Sequence, residues 1–139
     1  MPHQLNFEKH QIYESLEIGI TIEAILRHGL NQAVCEAKVD TGAHVCLFER
    51  EVGERLGLNI KGGYRRELNT LTGSFTAYDH EVTLETMGLT FDTFVYFAAG
   101  YEIRRNLLGR QGWLQLVRLG LVDYDSEIYL SRNDDEYLA

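Results

Sequence analysis

The chain has 139 residues, 45% hydrophobic and 24% charged, a composition that fits one folded domain burying about two-thirds of its unfolded surface. A formal net charge of −8 leaves no basic face to displace counterions from nucleic acid or to hold an anionic membrane surface. The longest apolar run, Phe94 to Ala99, is far shorter than a membrane span, and Met1-Pro2-His3-Gln4 lacks the basic and apolar regions of a signal peptide, so a cytoplasmic protein is expected.

Residues 1–14 are polar and mixed, an N-terminal segment expected to stay flexible unless an interface orders it. His3 and His10 lie there without neighbours that would complete a metal site. From Leu16 to Leu26, Leu16, Ile18, Ile20 and Ile22 alternate with Glu17, Gly19, Thr21 and Glu23, the period of a half-buried strand. Residues 27–32 hold the turn, with His28 read as an exposed loop residue, and Ala33 to Val39 returns as the partner strand. That strand ends on Asp40. Asp40-Thr41-Gly42 is read on its own as a turn before the next apolar run, Val45 to Phe48, with Gly42 free to take a positive φ.

Phe48, Val52 and Leu56 recur at helical spacing, so Glu49 to Leu58 is expected to be a short helix stopped by Gly57. Asn59 to Gly63 is a loop, and the pattern of a phosphate loop is absent around Lys61-Gly62-Gly63. Tyr64 to Leu71 and Ser74 to Tyr78 read as the arms of a hairpin around Thr72-Gly73. Glu81 to Glu85 is a further strand, Thr86-Met87-Gly88 turns the chain, and Leu89 to Phe97 continues as a strand. Both faces of that strand become apolar toward its end, which predicts burial on both sides. Arg110 to Leu119 is expected to be a short helix with Trp113, Leu114 and Val117 inward, and Asp125 to Ser131 the final strand. The tail, residues 132–139 with Asp134, Asp135 and Glu136, is expected to be frayed and solvated. Many short strands and regular turns make residues 15–131 one small, closed all-β domain with one or two short helices.

Cys35 and Cys46 fall on predicted strands and read as buried free thiols. His-Glu-x-x-His, Cys-x-x-Cys and Gly-x-Ser-x-Gly do not occur, and Asp123-Tyr124-Asp125 supplies too few oxygens to hold calcium, so neither metal nor cofactor is expected. His44 and Cys46 share a strand face, but nothing orients the histidine as a base for the thiol.

Three segments acquire meaning from their order: the apolar run into Asp40-Thr41-Gly42-Ala43, the turn Asn69-Thr70-Leu71-Thr72-Gly73-Ser74-Phe75, and Arg105-Asn106-Leu107-Leu108-Gly109-Arg110. Together they resemble the retropepsins, the retroviral-type aspartic proteases and their cellular relatives. The resemblance implies a single-lobe, pepsin-like closed β-barrel assembled as a two-fold homodimer, hydrolysing extended peptide segments. It implies Asp40 as the catalytic carboxylate, Thr41 as a bond across the interface, and Gly42 and Ala43 as contacts to substrate. The hairpin at Leu71, Thr72 and Gly73 resembles the flap that closes over a bound peptide. Leu107, Leu108, Gly109 and Arg110 resemble the segment beneath the active loop, with Leu108 facing substrate.

The chemistry needs two carboxylates sharing a proton, one ionised to accept a proton from water and one protonated to polarise the scissile carbonyl. Only one Asp-Thr-Gly is present: Asp79 precedes His80, Asp92 precedes Thr93-Phe94, and Asp125 precedes Ser126-Glu127. Asp40 from each of two chains is therefore required. His44 departs from the viral pattern, in which an aspartate there pairs with the arginine matching Arg110; Glu49 or Glu51 are the available replacements, and Cys46 stands where a small hydroxyl residue is common. These departures favour a cellular branch. A dimer that binds peptides or protein partners without cutting them is the competing reading.

Overall fold

The computed structural model describes residues 1–16 and 18–135, so Glu17 and Glu136 lie outside the described residues. Among the described residues, ten strands and one short α-helix follow one another: β1 Lys9–Ile12, β2 Thr21–His28, β3 Asn31–Val39, β4 Leu47–Phe48, α1 Arg50–Arg55, β5 Arg65–Thr70, β6 Gly73–Thr86, β7 Leu89–Ala98, β8 Leu107–Leu108, β9 Val117–Val122 and β10 Glu127–Arg132. The larger sheet runs β2-β3-β8-β4-β7-β6-β5, and a further pairing of β2 with β6 closes all of it except β5 into a barrel. Strand alternation explains the interior. Ile22, Ala24 and Leu26 of β2 point inward between Glu23 and the flanking polar residues, and Leu89, Phe91, Thr93, Val95 and Phe97 of β7 do the same. Phe48, Val52, Leu56, Leu84, Leu108 and Trp113 complete one core.

β6 is one continuous strand where the sequence reading has two. Its first part pairs with β5 as a hairpin standing clear of the barrel, and its later part pairs with both β7 and β2. The anticipated double-sided burial of β7 holds only at its end: Phe94 is 57% exposed, whereas Phe97 and Ala98 are fully buried.

Three expectations are corrected. The strand predicted from Leu16 begins at Thr21, and Leu16 and Ile18 are exposed. Alternation there meets no partner, because Thr21 already pairs with Lys38 and β3 ends at Val39. The helix predicted from Arg110 is a single 3-10 turn, Leu114–Leu116, followed by β9. Trp113 and Val117 are buried as expected, but from Val117 onward the antiparallel ladder to β10 satisfies the backbone instead of helical bonds. Finally, residues 7–12 and the described end of the tail are tied down. β1 joins β10 and β9 in a small three-stranded sheet, and Glu8 N–H donates to Ser131 Oγ at 2.7 Å. Arg118 stacks over the Phe7 ring at 5.7 Å and pairs with Asp135 at 3.0 Å, so Asp135 is not part of a frayed tail. His10 in β1 lies against the Tyr129 ring and 3.3 Å from Glu127.

Candidate active site

The loop 40–46 connects β3 to β4, and both of its ends are fixed to the same short strand. β8 runs parallel to the end of β3, Lys38 opposite Leu107 and Val39 opposite Leu108, and antiparallel to β4 through Leu47 opposite Leu107. Asp40 N–H donates to Leu108 O at 3.0 Å. On the far side of the loop, Arg110 N–H donates to Ala43 O and Gln111 N–H to His44 O, each at 2.9 Å. Gly109 makes this closeness possible. A Cβ there would stand 2.7 Å from the Val45 carbonyl carbon, nearer still to its oxygen, and 2.9 Å from Ala43 O. The sequence Leu-Leu-Gly-Arg thus gives a buried leucine, a residue without a side chain where two backbones touch, and an exposed arginine.

Within the loop, Gly42 N–H donates to Asp40 Oδ1 at 3.0 Å and Ala43 N–H to Asp40 O at 3.1 Å. The carboxylate is thereby held by its own turn, half-buried at the barrel rim, while Thr41 and Gly42 are exposed. Gly42 is not among the glycines with positive φ; the turn closes without it. Asn106 is a supporting residue the sequence reading passes over. Its Oδ1 accepts from Glu49 N–H at 3.0 Å, its Nδ2 donates to Glu36 O at 3.3 Å, and its backbone carbonyl accepts from Lys38 N–H at 2.8 Å. Its place just before Leu107-Leu108-Gly109 was visible in sequence; that one amide fastens β3, β8 and the start of α1 was not.

The β5–β6 hairpin overhangs this loop. Thr70 pairs with Gly73, the tip is Leu71-Thr72, and Thr70 Oγ1 both donates to Gly73 O at 2.8 Å and accepts from Thr72 N–H at 3.3 Å. Leu71 is fully exposed at the tip. Between hairpin and loop lies a cleft of about 320 Å³, bounded by Gly42, Ala43 and His44 below and by Arg66, Leu68 and Thr70 above. Leu47 and Leu107 form its apolar floor, and Phe75, opposite Leu68 in the hairpin, adds to its apolar wall; all three also border a neighbouring recess of about 310 Å³ under Thr72, beside Ile103, Arg104 and Arg105. Leu107, not Leu108, faces this space; Leu108 is fully buried in the barrel core.

Cys46 belongs to the support beneath the loop. Its sulfur accepts from Gly109 N–H at 3.4 Å, and burial pushes its thiol up to about 12, outweighing that hydrogen bond. Cys35, also a free thiol, is raised to about 12, again chiefly by burial. A neutral, enclosed Cys46 below an exposed His44 is not a nucleophile–base pair. Neither Glu49 nor Glu51 forms an ion pair with Arg110 among the described residues.

Residues 27–111, more than half of the chain, match the sequence profile of a family described as aspartyl protease. The chain belongs to the aspartyl protease family. Its fold is retropepsin-like. A retropepsin-like aspartic protease from Rickettsia conorii superposes with a TM-score of 0.60 at 21% identity, covering 80% of this chain and 88% of that one. EIAV protease complexed with an inhibitor superposes with a TM-score of 0.54 at 20% identity, covering 71% of this chain and 88% of that chain. No curated protein sequence matches. For an aspartyl protease of this fold, the Asp40 loop, the β8 support and the overhanging hairpin form one continuous arrangement on the barrel rim. No helix among the described residues is long and apolar enough to cross a membrane.

Proposed function

We propose that the protein is an aspartic endopeptidase that hydrolyses extended peptide segments, its active site completed when Asp40 of two identical chains meet across a two-fold axis. The observation that carries this reading is the Asp40 carboxylate, held by its own turn two residues before Gly42, which borders the open cleft under the hairpin. A single chain contributes one Asp-Thr-Gly, and Glu67, the carboxylate that borders that cleft among the described residues, already accepts from Arg65 and from Thr76. A second copy supplies the missing aspartate.

The chemistry follows from that pairing. Two carboxylates held close cannot both ionise, so they share one proton. The ionised one takes a proton from water as the water oxygen bonds to the scissile carbonyl carbon. The protonated one gives its proton to the carbonyl oxygen, forming a neutral diol. One carboxyl then gives its proton to the amide nitrogen while the other carboxylate takes a proton from a diol hydroxyl; the carbon–nitrogen bond breaks to give an acid and an amine, and the dyad again holds one proton. Thr41, exposed next to Asp40, would bond to its counterpart; Gly42 and Ala43, which border the cleft, would present backbone to the substrate, and Leu71, Thr72 and Gly73 at the hairpin tip would act as the flap. Leu107 lines the substrate side, while Leu108, Gly109 and Arg110 brace the loop from beneath. Peptide would enter as an added strand, its backbone bonded and its side chains sorted by the cleft.

The test is cleavage of unstructured peptides by the wild-type chain and by Asp40→Asn, with binding of a statine-type transition-state mimic to both. Cleavage and tight binding that both vanish in Asp40→Asn support the reading. Peptide binding without cleavage by the wild type establishes the non-catalytic alternative.

A further inference from the structure

The cleft carries the charge opposite to that of the molecule. The chain as a whole has a net charge of −8, yet the charged side chains around the apolar floor are Arg66 on one side and Arg104 and Arg105 on the other, against Glu67 and Glu102. Glu67 is already occupied: it accepts from Arg65 at 2.8 Å and from Thr76 Oγ1 at 2.5 Å. Glu102 forms no ion pair among the described residues; its carboxyl carbon lies 2.6 Å from where a Cβ of Gly100 would stand. Arg104 also borders a small recess shared with Glu49 and Glu51, which leaves Arg105 as the cation least committed elsewhere. Arg66 lies over the Tyr96 ring at 5.7 Å, a contact that positions its guanidinium without neutralising it. Arginine at such a wall presents a planar fork of donors that matches a carboxylate.

We propose that this cleft selects peptides carrying an acidic side chain, Asp or Glu, next to apolar ones, with Arg105 as the principal partner of the carboxylate and Arg66 the second. The inference rests on the proposed peptide-binding role of the cleft and names its substrate class. Apolar side chains settle on Leu47, Phe75 and Leu107, and the neighbouring acidic side chain reaches the arginines at the edge. Since the rest of the chain repels anions, the preference is a short-range one. It appears most clearly at about 0.15 M salt, where the long-range field is screened beyond roughly 8 Å while contacts within the cleft persist.

The experiment measures affinity by fluorescence anisotropy on the Asp40→Asn protein, so that binding is read without turnover. The probes are short labelled peptides, apolar and uncharged except for one Glu, moved position by position and compared with Gln at the same place. The expected result is about tenfold tighter binding of the Glu peptide at one or two positions, equivalent to about 1.4 kcal/mol. Arg105→Glu in the same background, checked by its melting curve for intact folding, should abolish that preference and favour a Lys peptide instead. Equal binding of Glu and Gln peptides at every position overturns the inference, as does a Glu preference that survives both Arg105→Glu and Arg66→Glu, or no peptide binding at all. Cleavage is read separately with the wild-type chain. A Glu preference in binding without cleavage removes only the endopeptidase reading; cleavage indifferent to Glu removes only this inference.

Discussion

Gly109→Ala tests whether β8 braces the Asp40 loop from beneath. The added methyl would lie 2.7 Å from the Val45 carbonyl carbon and 2.9 Å from Ala43 O, both backbone atoms that cannot rotate away. Relief requires β8 to withdraw from the loop, and three hydrogen bonds cross that contact: Asp40 N–H to Leu108 O, Arg110 N–H to Ala43 O and Gln111 N–H to His44 O. Overpacking of this kind costs about 1–3 kcal/mol. The hydrogen bonds are stretched and not lost, so each adds less than the roughly 0.5–1.5 kcal/mol that complete loss would cost, and a total of about 3 kcal/mol is expected. For a domain of this size, that corresponds to a fall in Tm of roughly 10 °C. The assay is urea unfolding of both proteins, compared at constant m, together with peptide cleavage at a temperature where both are folded. Cleavage should fall much further than the folded fraction does, because Asp40 is displaced with the loop. A variant within about 0.5 kcal/mol of wild type, the scatter of an ordinary surface change, would refute the close approach.

Four further outcomes follow. Mixing Asp40→Asn with an equal amount of wild type under exchanging conditions should leave about a quarter of dimers fully wild type, halving the activity of the wild-type chains; unchanged activity would exclude a shared dyad. Trp113→Phe should destabilise the fold by about 2–4 kcal/mol in chemical denaturation, because it leaves a void and strands the buried Thr86 hydroxyl, to which Trp113 Nε1 donates at 3.0 Å. Cys46 has its thiol raised from 9.0 to about 12 by burial, so its contribution to stability is complete below pH 9 and disappears as pH rises toward 12. Stability of Cys46→Ala measured over that range should therefore fall less steeply than that of wild type, and parallel curves would count against burial as the cause. Peptide cleavage should decline on the alkaline side as the shared proton is lost, and a flat profile from about pH 4 to about pH 9 would rule out a carboxylate pair.

Much of the local geometry of the candidate site was legible in the sequence because its parts are local. Asp40-Thr41-Gly42 is a turn whose bonds close within four residues, and Leu-Leu-Gly-Arg reads as an apolar pair, a bare residue and an exposed arginine almost without reference to the fold. Alternation likewise marked β2, β3 and β7, since a period of two needs only that one face be covered. Where the sequence misled, the deciding partner was distant. Leu16 and Ile18 alternate as a strand would, but β3 ends before it can pair with them. Trp113, Leu114 and Val117 have helical spacing, yet the residues from Val117 onward are taken by β10. Residues 9–12 carry little strand signal of their own and become β1 because β10 offers an open edge. Which of Leu107 and Leu108 faces the cleft, and that an acidic chain surrounds its cleft with arginines, were likewise settled only by tertiary structure. Residues near in sequence fix turns and faces; contacts between distant strands fix which of those faces is covered, and so what each residue can touch.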